Sequence, residues 1–318
     1  MWTGVARGAA GRALGGTLAL LATAALAGCG LGAGSPPSGV RLTVTEGFGA
    51  RTLRSFSAPK VSGQETAMSL LMRNASVATR YGGGFVQSVD GHAGGEEGGQ
   101  PVDWFYYVNG VQAPKGASQT VVHPGDRIWW DRHDWSQAGS VPAVVGSFPE
   151  PFLNGVAGKR LPVRVECAPQ SSAPCATVAS RLREAGVTAG ISGIEPGADP
   201  QTLRVLVGPW SALKGGQAAG ALAQGPQASG VYARFASDGS LTLLDERGQS
   251  ARTLTGDAGL VAATASHEEG ELPVWLITGT DEPGVELAAR ALRGASLANR
   301  FAVAVTGQGT VLATPAGA

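Results

Sequence analysis

Rings crowd into one stretch of this chain, and there the sequence offers its clearest chemistry. Trp104, Trp129, Trp130 and Trp135 are four of the six tryptophans left once Trp2 is set aside from the seven, and Tyr106 and Tyr107 lie among them. If 104–109 is extended, Trp104, Tyr106 and Val108 share one face, and Phe105, Tyr107 and Asn109 the other. Over 128–135, Trp129, Asp131, His133 and Trp135 oppose Ile128, Trp130, Arg132 and Asp134. One face of such a sheet must pack in a core. The rings left over would make a flat apolar surface with polar tips, suited to a large planar ligand, since each aromatic can bury about 150–250 Å². Phe85, Trp104, Tyr106, Tyr107, Trp129, Trp130, His133 and Trp135 are therefore the candidate ligand-binding residues. The plainer alternative is that both faces are covered, one by a helix and the other by the rest of the chain.

Catalysis has little support. No serine sits in a Gly-x-Ser-x-Gly elbow, and His92, His123, His133 and His267 are tied by no motif to a nucleophile. Asp131-Arg132-His133-Asp134 and nearby His123 contain metal-ligand types, but no pair has a spacing that brings ligands together unaided. Histidine beside carboxylates reads as an ion-paired surface group. Neither a catalytic nor a metal site is expected, and no cofactor is required.

Arg7 and Arg12 open a positively charged start, Ala13 to Ala27 carries no charge, and small residues lead to a cysteine. That is the layout of a secretory signal peptide over 1–28. Leu26-Ala27-Gly28-Cys29 resembles the lipobox of bacterial lipoproteins, and the resemblance implies that Cys29 is acylated and becomes the first mature residue. A membrane span is the weaker reading, because the run turns to Gly, Ser and Pro after Cys29. Of three cysteines, Cys167 and Cys175 then remain as a pair, expected to oxidise outside the cytoplasm.

Lys and Arg number 24 and Asp and Glu 24, so no net field draws the chain to nucleic acid. The 49 glycines show no Gly-X-Y period and point to loop-rich architecture. Residues 29–39 form a Gly/Ser/Pro tether, 40–145 a first domain and 159–314 a second. Between them 146–158, with Pro149 and Pro151, reads as a semi-rigid extended connector.

In the first domain Val40, Leu42 and Val44 alternate, Gly47-Phe48-Gly49 turns, and Thr52 to Phe56 alternates again, as in a hairpin. Ser62-Gly63-Gln64-Glu65 fits a capping box before a helix whose apolar face carries Ala67, Met68, Leu70, Leu71 and Met72. Phe85 to Val89 is a strand ending at Asp90-Gly91. Asn109-Gly110 closes the run Trp104 to Val108, and His123-Pro124-Gly125-Asp126 turns into Ile128-Trp129-Trp130. Asn109 reads as a turn former. A helix across a mixed sheet follows, a β-grasp-like fold. In order and spacing, Glu65 to Leu71, Gly84-Phe85-Val86 with Val89-Asp90-Gly91, Trp104 to Gly110, and Gly125 to Trp130 resemble the transcobalamin C-terminal-like family, found also as the β-domain of intrinsic factor. The likeness covers about a third of the chain. It implies a β-grasp fold, and the animal carriers use this domain to cover one face of cobalamin.

In the second domain Leu161 to Glu166, Leu203 to Val207, Val274 to Thr278 and Phe301 to Val305 read as strands. Helices are expected over Ala176 to Ala185, Ala212 to Ala223 and Val285 to Leu292, and a hairpin turns at Ser237 to Ser240. Asp281 and Pro283 are helix-start chemistry, which explains Gly279 to Gly284 better than an anion cradle does. Strand-helix alternation makes this an α/β layered domain. The whole is α+β in class, a β-grasp-like domain followed by an α/β layer.

The leading functional expectation is a lipid-anchored protein on the outer face of the cell membrane. It would capture cobalamin or a similar corrinoid, for hand-over to a membrane importer and with a separate helical partner protein. The alternative is a surface module that binds protein. The carrier reading requires open rings, or a cleft beside them.

Overall fold

Two hairpins and a helix form much as the alternation predicts. In the computed structural model the described residues are Met1, Gly4, 36–195, 199–265 and 271–317. Cys29 and almost all of the signal-like segment lie outside them. Ala33–Ala318 makes one compact unit of α+β class, in which strand outweighs helix at 36% against 19%, so sheets carry the architecture.

The first module opens with β1 (Arg41–Glu46) and β2 (Arg51–Phe56), paired antiparallel, with Leu42 and Val44 fully buried. Helix α1 (Ala67–Asn74) starts four residues later than a cap at Ser62 would place it. Thr66 is its cap: the Thr66 hydroxyl accepts from Ser69 N at 3.1 Å, and Ser69 Oγ accepts from Thr66 N at 2.9 Å. Glu65 instead holds the loop ahead, accepting from Ser62 N. Starting here puts Ala67, Met68, Leu70 and Leu71 on the sheet and leaves Met72 at the surface.

A small sheet follows from β3 (Val77–Arg80), β4 (Phe85–Val89) and β5 (His92–Ala93). Then come β6 (Gly95–Glu97), β7 (Gln100–Val108), β8 (Val111–Gln112) and β9 (Arg127–Asp134). The main sheet runs β2-β1-β9-β7-β6, with β8 on β7. Strands β1 and β9 are parallel, so the chain must cross over between them, and α1 lies on that crossover. This is a β-grasp arrangement. Asn109 (φ 54°) and Gly110 (φ 77°) supply the two left-handed residues that the tight β7–β8 turn requires.

The second module has β10 (Val163–Cys167), α2 (Ser172–Glu184), β11 (Gly190–Gly193) and β12 (Leu203–Pro209). Short helices α3 (Trp210–Leu213), α4 (Gln217–Ala223) and α5 (Pro226–Ser229) replace the single helix expected to Ala223, broken at Gly215-Gly216. A three-stranded sheet, β13 (Ala233–Phe235), β14 (Leu241–Leu244) and β15 (Ser250–Leu254), contains the expected hairpin. The module ends with β16 (Gly259–Thr264), β17 (Val274–Gly279), α6 (Glu282–Ala291), α7 (Gly294–Leu297), β18 (Ala302–Val305) and β19 (Val311–Thr314). Its sheet runs β11-β10-β12-β17-β16-β18-β19, with β11, β10, β12 and β17 parallel. Helices α2 and α6 cover one face; α3, α4 and the small sheet pack on the other. Asp281 caps α6 as expected, accepting from Gly284 N at 2.8 Å.

The segment 146–158 is not the extended connector that its prolines suggest. It folds into turns, and Phe148 and Phe152 pack on Trp275 in the second module's core. Burying two phenylalanines outweighs the extended preference of the prolines. The modules also meet at Gly49, where any Cβ would lie 1.9 Å from Asn299 O, so only glycine permits the approach.

Cys167 and Cys175 form a disulfide from the end of β10 to the first turn of α2, with Cα atoms 6.0 Å apart. Closing so short a loop stabilises by about 2–3 kcal/mol in the chain-entropy model. The double substitution Cys167→Ser, Cys175→Ser is expected to lose that amount in urea unfolding, and dithiothreitol should bring wild type to the same value.

Candidate functional site

The face alternation holds, and both faces are covered. Trp104, Tyr106, Ile128 and Trp130 lie beneath α1 in the first module's core. Tyr106 and Trp130 stack at 4.8 Å, and Trp104 Nε1 donates to His92 O at 3.0 Å. On the opposite face Tyr107 and Trp129 pack with Phe48, and the second module's Tyr232, Leu244 and Phe301 close over them. Tyr107 is 0% exposed and Trp129 3%. An open platform of Trp104, Tyr106, Tyr107, Trp129 and Trp130 is therefore not what the chain builds. Phe85 and Trp135 stay partly exposed, at 37% and 41%, and no ring contact joins them among the described residues.

His133 is not a surface group either. Its side chain is 1% exposed and lies between the rings of Phe48 and Phe105, each 4.5 Å away. His133 Nδ1 donates to Asp131 Oδ1 at 2.8 Å. Asp131, fully buried, also accepts from the Thr45 hydroxyl, from Phe48 N at 3.1 Å and from Gly49 N at 2.8 Å. Thr45 Oγ1 in turn accepts from Trp129 Nε1 at 2.7 Å. A buried carboxylate with four donors is satisfied, and it ties β9 to the β1–β2 turn. Removing it strands those donors in a dry interior. Asp131→Ala is expected to cost about 3–5 kcal/mol in urea unfolding, while Trp135→Ala, at the surface, changes little.

The edge of this joint is acidic. Burial pushes the Glu246 carboxyl up from its ordinary value, and nearby Asp134 adds to the shift. Burial likewise raises the Tyr232 hydroxyl, with Asp134 and Glu246 reinforcing it. A carboxyl raised in the folded state contributes stability below its unfolded value of about 4.5 and loses it as pH rises through the folded value. Glu246→Gln should thus match wild type near pH 4 and melt above it near neutrality, read as melting temperature against pH.

Beside the closed rings lies an open cleft of about 670 Å³. Val108, Val111, Ala113 and Pro142 give it apolar walls; Gln112, Lys115, Ser140 and His123 supply polar groups. Its volume falls within the roughly 300–1,000 Å³ usual for small-molecule sites. The core rings hold one wall, because the Tyr106 hydroxyl donates to Lys115 O and lies 2.8 Å from Thr120 Oγ1.

His123 is the cleft residue that spacing did not single out. Its backbone N–H donates to Asp126 Oδ2 at 2.7 Å, and its ring Nδ1 lies 3.5 Å from the same oxygen. Asp126 is 1% exposed; Asn109 Nδ2 donates to its other oxygen at 2.9 Å and also to Gly155 O at 2.9 Å. Asn109 is thus an anchor as well as a turn former. Burial pushes the Asp126 carboxyl up, against the hydrogen bonds from His123 and Asn109 that lower it. The usable signal was the turn His123-Pro124-Gly125-Asp126, in which an aspartate three residues on returns to the first residue's N–H.

A second cleft of about 680 Å³ lies in the α/β module, lined in part by Arg204, Leu206 and Val274. Its arginine is already engaged: Arg204 donates to the buried Glu166 at 2.7 and 2.6 Å. Among the described residues no group of three or more His, Cys, Asp or Glu is placed to hold a metal ion.

Residues 64–134 match the family model DUF4430, a domain of unknown function; the match runs from just before α1 to the end of β9. No curated protein matches the chain. A crystal structure from Ruminococcus gnavus ATCC 29149, of a proposed metal binding protein, is 19% identical over 97% of that chain and 30% of this one, with a TM-score of 0.24. No ligand is read from that likeness.

Proposed function

We propose that this chain is a lipid-anchored binding protein on the outer face of the cell membrane, and that its β-grasp module takes a corrinoid-like ligand at the cleft beside β7 and β8. The observation that carries the reading is that cleft, about 670 Å³ of largely apolar concavity, walled on one side by a module whose strand motifs resemble the transcobalamin C-terminal-like family and on the other by Ala265, Glu271 and Leu272 of the α/β module. The aromatic sheet does not serve as the seat, since its rings are core. A corrinoid exceeds the cleft in size, so it would be held by one face or edge. The other side would stay free for a membrane importer or a helical partner protein. The Leu26-Ala27-Gly28-Cys29 motif supports the anchor, with acylation at Cys29. No catalytic role is proposed.

The second reading is a protein-binding module. Tyr81, 85% exposed at the tip between β3 and β4, and Trp135 favour it.

Titration of the unit 33–318 with hydroxocobalamin, read by visible absorbance, tests the carrier. Micromolar binding is expected, and Val111→Trp, which fills the cleft, should weaken it at least tenfold. Binding that ignores the filled cleft would move the seat elsewhere, and no binding would leave the protein-binding module. In the source cell, full-length protein should fractionate with membranes and Cys29→Ala should abolish acylation.

A further inference from the structure

The last strand of a sheet keeps one row of backbone N–H and C=O groups without a partner, and stable proteins guard that row. The two main sheets of this chain end on four strands, and three are guarded. Strand β2 carries Arg51 and Arg54, and β6 carries Glu96 and Glu97, charges that keep an incoming strand away. Strand β19 is half-buried over its first three residues and runs into Pro315. Strand β11 (Gly190–Gly193) has neither charge nor proline, and among the described residues β10 is its only strand partner.

The strand is also apolar where water reaches it. Of the chain's four isoleucines, Ile128 and Ile277 are core, whereas Ile191 is 61% exposed and Ile194 38%. Ile191 lies in register with Val165, so both stand on the face that α2 covers, and α2 leaves the isoleucine bare. From Thr188 to Ile194 no residue is charged. A bare β-branched side chain on an uncharged open edge is a template for another strand.

The segment fits itself. A two-fold axis perpendicular to the sheet keeps each residue on its own face, so antiparallel pairing of two copies must centre on a residue. Centred on Ser192, Ile191 faces Gly193 of the second copy, and Ile194 faces its Gly190. Each large side chain then lies over a residue that has none. The two Ile191 side chains are diagonal neighbours across the axis, within reach of one another. No like charges meet, and the chain has no net charge to hold copies apart. A second copy supplies this complement by symmetry; an unrelated strand has no reason to.

We infer that β11 is the contact of a symmetric homodimer, in which two seven-stranded sheets join edge to edge in a register centred on Ser192. The inference is independent of the carrier reading, which places its ligand at the cleft beside β7 and β8.

Sedimentation of the unit 33–318 over a range of concentrations tests it. Wild type is expected to pass from monomer to dimer as concentration rises. Ile191→Lys, which sets two ammonium groups diagonally across the axis, should weaken the dimer at least about tenfold. Its circular dichroism melting should match that of monomeric wild type, because the site is exposed, and this separates lost pairing from lost folding. Ser192→Cys reads the register: the two thiols meet at the axis, so mild oxidation should link the copies, and adding Ile191→Lys should prevent it. A wild type that stays monomeric at every concentration overturns the inference, as does a dimer indifferent to Ile191→Lys. A dimer that needs Ile191 but does not cross-link keeps the β11 contact and overturns the register.

Discussion

The joint between the modules depends on a carboxylate that water does not reach. Asp131 sits mid-strand in β9 and takes donors from β1, from the turn after it and from its own strand. An ionised carboxylate in such a place is tolerable only when fully bonded. The bonds therefore dictate where Phe48 and His133 stand, and those two rings meet Phe301 of the second module edge-on, at 5.1 and 5.2 Å. Once Phe48 and His133 are fixed, Tyr107 and Trp129 have a dry wall to pack against, and the second module has a surface to close on. The polar network and the aromatic cluster are one object; neither is satisfied without the other.

Much of the β-grasp module was legible because period-2 alternation and turn chemistry are local. Leu42 and Val44, Asn109-Gly110 and the split of Trp104 and Tyr106 from Tyr107 each follow from neighbours in sequence. Which face of the sheet would be open was not legible, because Tyr232, Leu244 and Phe301, more than a hundred residues after Tyr107, decide it. His133 was misread for the same reason: Phe48 and Phe105 turn a charged-looking tetrapeptide into core. The segment 146–158 misled in another way. Its prolines speak for extension, but burial of Phe148 and Phe152 against Trp275 is worth more than the local preference. In the α/β module the long apolar strands were plain, whereas the edge strand β11, with two glycines in four residues, carried no periodic signal.

Covering the second face changes what the α/β module is for. It is not an accessory joined by a flexible link, because its core includes Val145 and its strand-leading Phe301 accepts a backbone hydrogen bond from Val145 N at 3.0 Å. A lid that opened to expose the rings would break that bond and strip Asp131 of its dry surroundings. Such a motion costs far more than ligand-gating equilibria, which turn on a few kcal/mol. The α/β module is better understood as a fixed wall that leaves the adjoining edge of the β-grasp sheet accessible.

That edge is where the buried rings reach toward solvent. The loop from Ala113 to His123 has little regular structure, yet it forms one side of the cleft. Tyr106 reaches it from below through its hydroxyl, and that ring is in turn clamped by Trp130. At the far end Val122 N donates to Glu65 O at 2.9 Å, and Ala67 N to Thr120 O at 2.9 Å, so the helix start holds the loop from the side. A binding site on a loop loses affinity whenever the loop must be ordered by its ligand. In this chain the loop is held by buried residues, Tyr106 from below and the start of α1 from the side. The aromatic window thus reaches the surface indirectly, by holding the loop that leads to His123 against the sheet behind it.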